Sequence, residues 1–163
     1  MRIRTLALAA LLLPLTAFSL AADEDGEEAE REGGRAAMVV THAATKAECS
    51  ACHIAYPAGF LPVRSWRAIM TTLEDHFGED ASLDETTRAD IEAYLVANAP
   101  DASGGRPLRG VDPSATPLRI TELAWFTREH SREVSQSMKD KAKSMSNCAA
   151  CHSGAERGVF EDD

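Results

Sequence analysis

The pentapeptide CSACH at residues 49–53 returns, one residue changed, as CAACH at 148–152, and the two copies hold all four cysteines of a 163-residue chain. Cys-x-x-Cys-His has a mechanical meaning. Two thiols one helical turn apart can bond the two vinyl groups on one edge of a porphyrin, and the histidine that follows sets its imidazole under the iron; this is the attachment signature of c-type haem. Zinc fits the cysteines less well. Four-cysteine zinc sites usually place their pairs about 15–20 residues apart, whereas Cys49 and Cys148 lie 99 residues apart and both pairs end in histidine. Redox disulfides would suit an oxidising compartment, but they give no role to the two histidines. Two covalently bound haem c groups are therefore expected, on Cys49, Cys52 and His53 and on Cys148, Cys151 and His152, with His53 and His152 as proximal ligands.

Working outward, the chain opens with MRIRTLALAALLLPLTAFSLAA, in which Arg2 and Arg4 precede an apolar run from Leu6 to Leu20 and small residues follow. That is the layout of a secretory signal peptide, taken as residues 1–21. A permanent anchor needs roughly 20 apolar residues; this run is shorter and holds Pro14, so no stable membrane anchor is expected. The formal charge of −9 argues against nucleic acid, whose phosphates need cationic partners. Much of it comes from DEDGEEAERE at 23–32, read as part of an acidic disordered leader over 22–40.

The remainder reads as mainly α. A helix is expected into the first pentapeptide, and a loop follows at Pro57, Gly59 and Pro62. A second helix is expected from Ser65, with Trp66, Ile69, Met70, Leu73 and Phe77 on one face and Gly78 at its end. A third is expected from Ser82, which forms a capping box with Glu85, to about Asn98. Four prolines and three glycines in 98–117 mark a linker, placed at 99–117, between an N-terminal haem domain (41–98) and a C-terminal one (118–163). Thr121 is a candidate cap for a helix carrying Leu123 and Phe126; a polar, lysine-rich segment then runs to Asn147. Halves this small bury little apolar surface, so a haem in each is expected to fill its core.

The far side of each iron decides function. A saturated iron only passes electrons, whereas an open one binds O2, NO or peroxide. Three histidines remain: His42, His76 and His130. His76 ends the expected face of the second helix, and His130 lies four residues after Phe126 on the later stripe. Histidines so placed are usually core residues, but with a haem to pack in each half they become the expected distal ligands. His42, in a small polar context, is expected at the surface and is the reserve for the first haem. Met70, Met138 and Met145 remain competitors, each otherwise a core filler or an exposed side chain. A carbonyl near Pro57 or Pro62 is the expected acceptor for a proximal imidazole, and Arg64 and Trp66 are candidate partners for haem propionates.

The stretches ECSACHIAYPAGFLPVRSWRAIMTTLEDHFGEDASLD, RITELAWFTREH and NCAACHSGAERGVFEDD together resemble the bacterial dihaem cytochrome c family. The resemblance implies a periplasmic electron carrier with a class I cytochrome c-like N-terminal half and a less regular C-terminal half. It also implies bis-histidine haems, His53 with His76 and His152 with His130. The redox partners it implies are an oxygen-binding monohaem cytochrome c or a b561-type membrane cytochrome b. The alternative is a dihaem peroxidase or gas-binding haem protein with one labile distal ligand.

Overall fold

A computed structural model describes residues 38–102 and 108–160. The expected signal segment and residues 22–37 of the expected leader lie outside these. Among the described residues there are five α-helices joined by 3-10 turns and no strand; one isolated bridge pairs His76 with Glu79.

Helix α1 (Ala43–Cys49) ends on the first cysteine, so the pentapeptide unwinds from a helix C-terminus. Pro57 leads into a 3-10 turn at Ala58–Phe60, and Pro62 caps α2 (Val63–Met70). Helix α2 stops well before Gly78, contrary to its apolar period. The hydroxyl of Thr71 donates to the carbonyls of Arg67 and Ala68 at 3.1 and 3.0 Å, and that of Thr72 to Ala68 at 3.1 Å. Such hydroxyls compete for the carbonyls that a continuing helix would use. A 3-10 turn at Leu73–Asp75 follows instead.

Helix α3 (Glu85–Ala97) is capped by Asp84 rather than Ser82. One Asp84 carboxylate oxygen accepts from the amides of Thr86 and Thr87, each at 3.1 Å, and the other from the Thr87 hydroxyl at 2.6 Å. A carboxylate at this position satisfies amides that have no partner within the helix. Thr121 lies inside a 3-10 turn, Ile120–Glu122, and α4 (Ala124–Glu133) follows Leu123 without a side-chain cap. The lysine-rich stretch forms α5 (Gln136–Ala142), capped by the Ser135 hydroxyl on the Met138 amide.

Buried side chains of both halves join in one cluster. Leu61, Trp66, Ile69, Met70 and Leu73 pack with Ile91 and Leu95 of α3, and Leu123 and Phe126 from the C-terminal half belong to the same cluster. Burying a side chain such as Ile91 contributes about 1.5–3 kcal/mol, so these residues fasten the halves together. The expected linker is pinned as well. Ala99 is buried in the core; Asp101 accepts from the Val63 amide at 2.7 Å; and the Arg64 guanidinium donates to the carbonyl oxygens of Asp112, at 2.9 Å, and Ala115.

The last residues of the expected leader are also part of the fold. Val40 is buried, and the Tyr94 hydroxyl accepts from the Thr41 amide at 3.2 Å and donates to the Val39 carbonyl at 3.4 Å. This strap runs against Gly158 near the other end of the chain, where a Cβ would lie 2.0 Å from the Met38 carbonyl oxygen.

Candidate functional site

Each pentapeptide histidine faces one of the other histidines. The ring centroids of His53 and His76 are 6.2 Å apart with planes at 31°, and those of His130 and His152 are 6.1 Å apart with planes at 87°. Two imidazoles bound through one nitrogen each to a first-row metal, at the roughly 2.0–2.1 Å known for zinc, put their centroids about 6.3 Å apart. Both separations match that spacing.

His76 reaches its place although no α-helix carries it. Its backbone pairs with Glu79, His76 N–H to the Glu79 carbonyl at 2.8 Å and the reverse bond at 3.3 Å. The turn closes through Phe77 and Gly78 at φ of 58° and 99°, with the Gly78 amide on the Asp75 carboxylate at 3.1 Å. A positive φ is strained for a residue with a large side chain such as phenylalanine; here it follows directly on the residue that faces His53. Arg119 covers the Phe77 ring at 4.2 Å, so the C-terminal half braces this turn. Burial first, then the neighbouring His53, lowers the His76 pKa and favours the neutral imidazole a metal requires.

Ring orientation is fixed from behind. Nδ1 of His53 lies 2.6 Å from the Ile54 carbonyl oxygen, and Nδ1 of His130 lies 2.9 Å from that of Phe126. With each Nδ1 donating, Nε2 is left as the free lone pair, as in most histidines that ligate a metal. The acceptor for His53 is thus its immediate neighbour, not a carbonyl near Pro57 or Pro62. His130 also stacks on Phe126 at 3.9 Å.

The second pair opens into a cavity of about 590 Å³, within the range of about 300–1,000 Å³ for ligand pockets. Cys148, Cys151, His130, His152, Trp125 and Phe160 are among its lining residues, and Met38 of the strap closes part of it. The buried indole N–H of Trp125 has no acceptor among the described residues. An unpaired buried donor costs about 1–3 kcal/mol, and a cofactor bearing carboxylates could satisfy this one. None of the four cysteines is paired in a disulfide. No group of three or more His, Cys, Asp or Glu side chains gathers around a possible bare-metal site among the described residues.

Of the remaining candidates, two methionines lie at the second cavity and the others are engaged elsewhere. His42 is committed on both ring nitrogens, Nδ1 to the Thr45 hydroxyl at 3.0 Å and Nε2 to Asp90 at 3.2 Å, and it stacks on Tyr94. Met70 is in the core, whereas Met138 and Met145 line the second cavity. Arg64 is spent on the pinned linker, and the Trp66 indole donates to the Ala58 carbonyl at 2.8 Å. Sequence reasoning overlooked the aromatic set around the pairs: Tyr56 stacked on His53 at 4.5 Å, and Phe160 against both Phe60 and His152. Only Tyr56, three residues after the motif histidine, left a local signal.

A helical chain with two Cys-x-x-Cys-His attachment points, each histidine opposed by another imidazole, defines a c-type cytochrome. The dihaem cytochrome c family profile matches residues 45–160. Two solved structures of diheme cytochrome c from Rhodobacter sphaeroides are 66% and 62% identical, with TM-scores of 0.72 and 0.66; each alignment covers 75% of this chain, and 98% and 99% of those chains. A diheme cytochrome c from Shewanella baltica OS155 is 43% identical over 76% of this chain and 89% of its own, with a TM-score of 0.61. No curated protein matches at a significant level. The chain belongs to the dihaem cytochrome c family and, as such, carries two covalently attached haem c groups and serves as a haem-based electron carrier.

Proposed function

We propose that this protein is a periplasmic one-electron carrier whose irons are each closed by two imidazoles, His53 with His76 and His152 with His130. The carrying observation is the pair of ring separations, 6.2 and 6.1 Å, each suited to one iron. A haem so held takes up and gives back a single electron. The chain's part is to keep the geometry constant through that change. The carbonyls of Ile54 and Phe126 hold the Nδ1 protons of His53 and His130, and the 73–81 turn fixes His76, so none of these three rings has to move. Cys49 and Cys52, and Cys148 and Cys151, tether the haem edges.

Export rests on the signal-like segment at 1–21; among the described residues no helix is long and apolar enough to cross a membrane. The partners expected from the family resemblance are an oxygen-binding monohaem cytochrome c or a b561-type membrane cytochrome b. The mildly basic 118–147 region of an otherwise acidic chain offers them a docking dipole. Addition of CO to the fully reduced protein tests the closed sites. Unchanged spectra are expected. A prompt, stoichiometric shift of one haem would replace this reading with that of a peroxidase or gas-binding protein.

A further inference from the structure

Tyr56 follows His53 by three residues and stacks on its imidazole at 4.5 Å with the planes 17° apart. Its hydroxyl reaches across to the C-terminal half rather than to a local carbonyl. It donates to the carbonyl oxygen of Ser146, 90 residues away, at 2.7 Å, the usual length of a good O–H···O bond. That same carbonyl oxygen lies 3.6 Å from Sγ of Cys148, the first cysteine of the second pentapeptide. One side chain therefore spans from the imidazole of the first attachment site to the chain two residues before the second. Nothing in the packing of the N-terminal half calls for this bond, because the Tyr56 ring already packs against the shared core.

We propose that Tyr56 is the positioning residue that couples the two haem sites, by fixing the second attachment loop against His53 and by closing a continuous path between them. The inference rests on the electron-carrier reading above, and within it only on His53 and Cys148 serving different haems. In the step it assists, one electron leaves the reduced site and is accepted by the oxidised one. No bond forms or breaks, and Tyr56 keeps its proton as a hydrogen-bond donor throughout. Removing the hydroxyl leaves the stack on His53 in place but opens a gap before Ser146.

Tyr56→Phe is the direct test. The holoprotein is photoreduced by one electron and the equilibration between haems followed, alongside a potentiometric titration of both. The expected result is a several-fold slower exchange and a weaker dependence of each haem's midpoint on the state of the other, with haem content and ferric spectra as in the unsubstituted protein. Unchanged exchange and unchanged interaction in a variant holding both haems would overturn the proposal. Should the variant fail to take up both haems, infrared difference spectra of the unsubstituted protein labelled with ring-13C tyrosine give a second reading. The Tyr56 C–O band, assigned against Tyr94→Phe, should shift when either haem is reduced; silence on reduction of the second haem would overturn the proposal equally. Either failure leaves the CO result untouched, and CO binding would leave these outcomes unaffected.

Discussion

Replacing Gly158 by alanine perturbs a close approach between the two ends of the described chain. Gly158 has φ of 73°, and a Cβ there would stand 2.0 Å from the Met38 carbonyl oxygen and 2.7 Å from its carbon. Both atoms are backbone and cannot swing aside. The left-handed conformation alone costs roughly 1–2 kcal/mol for a residue with a Cβ. Forcing the strap away adds roughly 1–3 kcal/mol, by comparison with overpacked cores. At about 2–4 °C per kcal/mol for a chain of this size, thermal denaturation should show a Tm lower by roughly 4–20 °C. Gly78→Ala supplies the control, because Gly78 has φ of 99° but nothing within 4 Å of its would-be Cβ. It should lose only the backbone part. Met38 lines the second cavity beside His152, so Gly158→Ala should also shift the midpoint potential of one haem while leaving the other. Equal Tm losses for the two variants, with both potentials unmoved, would refute the contact between strap and attachment loop.

Acid should release the α3 cap. The hydroxyl and amide of Thr87 hold the Asp84 carboxyl below its ordinary pKa of 3.8. A group depressed on folding stabilises above its unfolded-state pKa, and that contribution disappears as pH falls through the folded-state value. Asp84→Ala should therefore lower Tm at neutral pH and converge on the unsubstituted protein as pH falls through the depressed Asp84 pKa, as followed by circular dichroism. His42→Ala should leave both low-spin haem spectra unchanged while destabilising the fold by about 1–3 kcal/mol, because the buried Thr45 hydroxyl loses its partner. A five-coordinate haem in that variant would make His42 the ligand instead.

The attachment motifs were legible because their chemistry is local: two thiols and an imidazole within five residues. Helix α2 was legible through its apolar face and α3 through a cap signal near its start, but their ends were not. The back-bonded hydroxyls of Thr71 and Thr72 end α2 without disturbing the apolar period, and Asp84 displaces a capping box at Ser82 and Glu85 that matches by pattern alone. His76 still comes to face His53, through a strained turn that no helical period describes. The shared core and the pinned linker depend on Leu123, Phe126 and Asp101 meeting residues far away in sequence. Tyr56 shows the same limit, since its partner lies 90 residues on and no spacing rule connects them.

Low-temperature EPR of the fully oxidised holoprotein tests the central claim most directly, because it reports the axial ligands of each iron separately. The account predicts two low-spin signals and no high-spin iron. The signals should differ, because the facing rings stand at 31° in one pair and 87° in the other. Near-perpendicular ligand planes leave two iron d orbitals close in energy, so the His130–His152 site should give the larger maximum g value. A stoichiometric high-spin signal from either haem would contradict it.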